Sequence, residues 1–158
     1  MTFRGADWLV AVAVIFSDST PTVRASALDR MNLTPAERKE LTVCFTDYPQ
    51  VERFCSQKKP PRNSDAYLFL KDYGPVPLLY WLTCLRSEEA RSILVAHIQS
   101  WSTLKGELTG HDLQEMGLEG REVGQALLNI RLARMDNVIS SREGEMAYIR
   151  SLLAHQTA

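Results

Sequence analysis

Residues 108–128 read LTGHDLQEMGLEGREVGQALL and hold four of the chain's eight glycines, Gly110, Gly117, Gly120 and Gly124. A glycine inside a helix costs about 0.5–1 kcal/mol relative to alanine, so each needs a reason. Thr109 or Asp112 can cap a short helix ending at Met116. Gly117 falls where a left-handed residue closes such a helix, with Leu118 as the apolar contact that accompanies it. Gly120 opens a tight turn into the next helix, whose first turn holds Arg121 and Glu122. Gly124 lies within that helix, where a missing side chain lets another backbone approach. The stretch predicts helix, Gly-x-x-Gly turn, helix. A helix N-terminus at such a turn leaves amide protons bare and favours an anion such as phosphate. A tight helical corner needs the same glycines when nothing binds.

The flanking sequence is punctuated in the same helical way. Thr20-Pro21 reads as N-cap and first-turn proline, opening a helix to Met31. Thr34-Pro35-Ala36-Glu37 repeats the signal and adds a capping box, giving a helix to about Asp47. Pro49 allows a short helix through Val51, Phe54 and Cys55. After the break KKPPR at 58–62, Asn63 or Ser64 can cap a helix holding Tyr67 to Leu70. Gly74-Pro75 starts another, with Leu78, Trp81 and Leu85. Ser87-Glu88-Glu89 opens a helix carrying Ile93, Leu94, Ala96, Ile98 and Trp101 at helical spacing. Val123–Met135 is amphipathic, and Ser140–Glu143 caps a last helix through Ile149 and Leu153. No alternating run bounded by hairpin turns occurs. The expected fold is all-α, an array of about nine or ten short helices with a helix-hairpin-helix-like C-terminal part.

The totals narrow the function classes. Net charge is −1, which argues against bulk nucleic-acid binding but leaves room for a basic patch. Residues 21–62 carry +3, whereas residues 100–158 carry −2. Cys44, Cys55 and Cys84 form no CxxC pair, and His97, His111 and His155 complete no zinc pattern. Reduced, mostly buried thiols in a cytoplasmic protein are expected. WLVAVAVIF at 8–16 is shorter than the roughly 20 residues of a membrane span and lacks the flanks of a signal peptide. It reads as a buried first helix, with no membrane partner.

Several side chains carry two readings each. Lys58, Lys59 and Arg62 sit on a proline-stiffened turn and can touch phosphate or belong to a solvated loop. Arg121, Arg131 and Arg134 follow the glycine turn and can pair with phosphate bidentately, or balance Glu119, Glu122 and Asp136. Trp81 and Trp101 are core residues in preference to base-stacking platforms. The order His97, His111-Asp112, Asp136 imitates a metal phosphohydrolase of the HD type, with gaps too short for that scaffold. Such an enzyme would hold a metal ion.

The 108–128 stretch resembles the C-terminal motif of class II tRNA nucleotidyltransferases, the CCA-adding, A-adding and poly(A)-polymerase-like enzymes, written L-T-G-x-D-L-x-x-x-G-L-x-P-G-P-x-V-G-x-x-L. The family's Pro-Gly-Pro is Glu119-Gly120-Arg121 here. MNLTPAERKEL at 31–41 is similar to the segment LrLSnaErkrL of the same proteins. Gly5–Phe16, Val23–Met31 and Ile98–Trp101 fit the surrounding pattern.

The resemblance implies an RNA-binding body over residues 1–103 and a tail over 104–158. It implies tRNA as partner, held by shape and phosphate contacts. Gly110, Gly117, Gly120, Arg121, Gly124, Arg131 and Arg134 would contact RNA, together with Lys58, Lys59 and Arg62. Those enzymes catalyse with a head domain that carries an Asp-x-Asp pair for Mg²⁺ and binds the nucleoside triphosphate. This sequence contains no Asp-x-Asp, so no catalytic residue and no cofactor are expected in it. Positioning RNA for a separate catalytic head is the implied role. A helical scaffold protein that keeps the fold without RNA is the alternative.

Overall fold

The computed structural model describes residues 7–156. Arg4 and Gly5 lie outside them. The described residues form ten α-helices and no strand: α1 Asp7–Ile15, α2 Pro21–Arg30, α3 Pro35–Thr46, α4 Tyr48–Cys55, α5 Asn63–Leu70, α6 Pro75–Cys84, α7 Glu88–Ala96, α8 Gly110–Glu115, α9 Arg121–Met135 and α10 Arg142–Gln156. The all-α expectation is met.

Two compact units share the chain. Unit 1 comprises residues 1–61 and 68–102, and unit 2 comprises residues 62–67 and 103–158. In unit 1, α6 presents Val76, Leu78, Tyr80 and Trp81 to a core that includes Leu41 and Cys44 of α3 and Leu9 and Ala13 of α1. Phe54 stacks on Phe69 at 4.2 Å, and Tyr73 meets Trp81 edge-on at 4.7 Å. Trp81 and Trp101 are buried, as core residues should be. In unit 2, Leu108, Leu113, Leu118, Ala126, Ile130 and Ile149 form a second core from α8, α9 and α10.

The caps predicted from threonine, serine and proline are present. Thr20, Thr34 and Ser87 accept from the amides of Val23, Glu37 and Ala90. Thr34 and Glu37 close a full capping box. Burial pushes the Cys55 thiol up to about 11 and Cys44 to about 12. All three cysteines are free.

Three local expectations are corrected. The first helix buries one face only: Leu9 and Ala13 are buried, while Trp8, Val14 and Ile15 are exposed. Its apolar run shows no periodicity in the sequence, yet only one side meets α3 and α6. The helical run Ile93–Trp101 changes pitch, because His97–Trp101 forms a π-helical turn. Asn63 and Ser64 do not cap α5 from in front; they lie in its first turn. The cap comes from Asp136, whose carboxylate accepts from the Ser64 amide at 2.9 Å and the Ser64 hydroxyl at 2.6 Å. Asn63 donates its side-chain amide to the carbonyl of Met135, at 2.7 Å. A carboxylate at a helix N-terminus satisfies an orphan amide and meets the positive end of the dipole. Among the described residues, no helix is long and apolar enough to cross a membrane.

Candidate nucleic-acid interface

The helix pair of unit 2 is built by main-chain requirements. Thr109 caps α8: its hydroxyl accepts from the Asp112 amide, and Asp112 reaches back to the Thr109 amide at 2.7 Å. Arg142 of α10 donates to the other oxygen of Asp112 and to the carbonyl of Glu107. Asp112 thus ties α8 to α10.

Those bonds hold the Asp112 carboxyl well below its ordinary value of 3.8, chiefly through the Thr109 hydroxyl and then through Arg142. With the folded value depressed, this contribution is complete above pH 3.8 and is lost as pH falls through the lower folded value. The expected outcome is a urea midpoint that drops more steeply below about pH 4 in the unaltered chain than in Asp112→Asn. Unfolding of both chains across that range checks it.

At the end of α8 the Gly117 amide donates to the Gln114 carbonyl at 2.9 Å, and the Leu118 amide to the Leu113 carbonyl at 3.1 Å. This is the Schellman pattern, with Gly117 left-handed at φ +92° and Leu113 and Leu118 both buried. Gly120 precedes α9 at φ +50°. These two glycines do what the sequence predicted for them. Gly124 does not: among the described residues a Cβ there would meet nothing within 4 Å, so no backbone outside its own helix closely approaches it. At Gly110 a Cβ would make only an ordinary contact, 3.5 Å from Val123.

The corner is polar but not basic. The Glu122 carboxylate reaches back to the Glu119 amide at 3.3 Å. Among the described residues no acceptor meets the amides of Gly120 and Arg121. Arg121 is exposed there, between the exposed Glu119 and Glu122.

The remaining candidate cations differ in their partners. Arg134 has an internal role: it pairs with buried Glu145 and with Glu107, its side chain only 16% exposed. Neither Asp136 nor the corner glutamates balance it. Arg131 donates to the Tyr67 hydroxyl at 2.7 Å and lies over that ring. Arg62 grips Asp65 with two bonds of 2.9 Å. Lys58 and Lys59 are exposed in unit 1.

Gly110, Gly124 and Arg131 come together in one cleft of unit 2, where Lys105 joins them. The sequence reading missed Lys105 and Glu145. Helical spacing offered a signal for Glu145, four residues before Ile149 on the buried face of α10.

The residues that imitate an HD-type metal site have other surroundings. His97 is buried in unit 1. His111 is exposed beside Glu115, Asp112 is a helix cap, and Asp136 caps α5. Among the described residues no three His, Cys, Asp or Glu side chains are grouped to hold a metal ion.

No family profile and no solved structure matches the chain. Over 95 residues, 60% of its length, it is 27% identical to an A-adding tRNA nucleotidyltransferase of Geobacter sulfurreducens. The matched stretch spans 11% of that enzyme, so the similarity is distant and partial.

Proposed function

We propose that this chain is a tRNA-binding helical region related to those of tRNA nucleotidyltransferases, positioning the RNA 3′ end for nucleotide addition by a separate head domain. The observation that carries the reading is the 27% identity to an A-adding enzyme across 60% of this chain. The exposed cations Lys58, Lys59 and Lys105 support it, as does Arg131, which is held by a phenol rather than by a carboxylate. A-form RNA is held by its shape and phosphates, so cations presented by helical units suit it. Binding would raise the effective concentration of the 3′ end at the catalytic centre.

A helical scaffold without RNA is the second reading. It is favoured by the acidic balance of residues 100–158 and by the consumption of Arg134 and Arg142 in internal ion pairs. Titration with tRNA at 50 and 200 mM salt separates the two. With about four phosphates engaged, affinity falls on the order of a hundredfold between those concentrations. No binding in dilute buffer overturns the RNA reading and leaves the scaffold.

A further inference from the structure

Unit 2 contains a cleft of about 500 Å³ between the loop 105–110 and α9. Its charged lining residues are Lys105 and Arg131, and both are cations. Among the described residues no carboxylate pairs with either. Arg134 and Arg142 of the same unit are by comparison bound to acidic partners. Arg131 is instead held by the Tyr67 hydroxyl and ring, which fix its guanidinium without neutralising it. In a protein of net charge −1, such a cleft is complementary to an anion. The glycine corner at Gly117–Gly120 is not: Glu119 and Glu122 flank it, and a carboxylate already takes the Glu119 amide.

The glycines sort in the same way. Gly117 and Gly120 are required by positive φ, and Gly106 by the side chain of Ile130, which a Cβ would meet at 2.6 Å. Among the described residues no close contact requires glycine at 110 or 124, and both line the cleft. Gly124 sits within α9, where glycine opposes helix formation. Its open side gives an incoming chain access to the helix backbone beside two cations.

We propose that this cleft, and not the glycine corner, receives the sugar–phosphate strand of the RNA, with phosphates at Lys105 and Arg131 and the strand lying against Gly110 and Gly124. Leu127 and Leu128 supply an apolar surface against which ribose or base can rest. The inference rests on the tRNA-binding reading and specifies where the contact is made.

The test uses the full chain and a tRNA transcript ending in CC, titrated at two salt concentrations. Gly124→Leu adds bulk on the open side, where a Cβ meets nothing within 4 Å among the described residues. It is expected to weaken binding at least tenfold while its thermal midpoint is no lower than that of the unaltered chain. Lys105→Gln is expected to lower the salt slope by about one. Arg121→Gln at the corner is expected to change affinity less than threefold. If the unaltered chain binds and Gly124→Leu binds equally well, the cleft is overturned alone. If Arg121→Gln abolishes binding while Gly124→Leu does not, the corner is the contact. If the unaltered chain ignores tRNA in dilute buffer, the functional reading falls and the cleft with it.

Discussion

Replacing Glu145 by alanine lowers the stability of unit 2 by about 3–5 kcal/mol, the cost of breaking a buried ion pair by removing one partner. Glu145 is fully buried. Its carboxylate accepts from the amide of Glu107 at 3.0 Å and of Leu108 at 2.8 Å, and from the guanidinium of Arg134. Alanine leaves two amides and much of an arginine without an acceptor. Arg134 keeps Glu107, at the more exposed rim, so the damage stops short of a fully orphaned charge. Glu145→Gln separates shape from charge. It keeps one acceptor oxygen but turns an NH₂ toward groups that also donate, which costs about 1–3 kcal/mol.

The partition of the tryptophans makes the result readable. Trp8, Trp81 and Trp101 all belong to unit 1. Their fluorescence reports that unit, whereas far-ultraviolet circular dichroism reports helices in both. Glu145→Ala is expected to shift the dichroism midpoint in urea more than the fluorescence midpoint. Amide exchange at Leu108 should rise toward the rate set by opening of unit 2.

The two units also show how far the sequence carries. Helix starts were legible because they are local: a threonine, a proline and a glutamate within four residues state a capping box, and Thr34–Glu37 forms one. Gly117 was legible for the same reason, since a helix end and a left-handed residue are adjacent in the chain. Gly124 was not, because what lies beside a glycine is a tertiary fact. In the sequence Asp136 is an acid able to balance an arginine; in the structure it caps a helix that begins 73 residues earlier. Its partner is reached only when residues 62–67 join unit 2. The candidate cations followed the same rule. Sequence position placed Arg131 and Arg134 together, three residues apart on α9. Tertiary structure divided them, one against a phenol and the other into a buried ion pair.

Trp81→Ala is expected to cost unit 1 about 3–5 kcal/mol, a large share of the roughly 5–15 kcal/mol that holds a domain folded. The side chain is wholly buried. Most of the loss is the cavity left where Trp81 packs among Leu41, Cys44 and Tyr73. A smaller part comes from the indole N–H, which donates to the carbonyl of Cys44 at 2.8 Å. Cys44 lies in the last turn of α3, where carbonyls have no intrahelical donor, so the indole closes that helix from another element. Trp81→Phe isolates this role. It keeps most of the ring and leaves the carbonyl unsatisfied, at about 1–3 kcal/mol. Since Trp81 is itself a reporter, both variants are followed by dichroism, with the amide exchange of Leu113 and Ile130 in unit 2 as the internal comparison. Protection at those two residues should fall far less than at Leu78 and Leu94, because the interactions that Trp81 makes all lie in the core of unit 1.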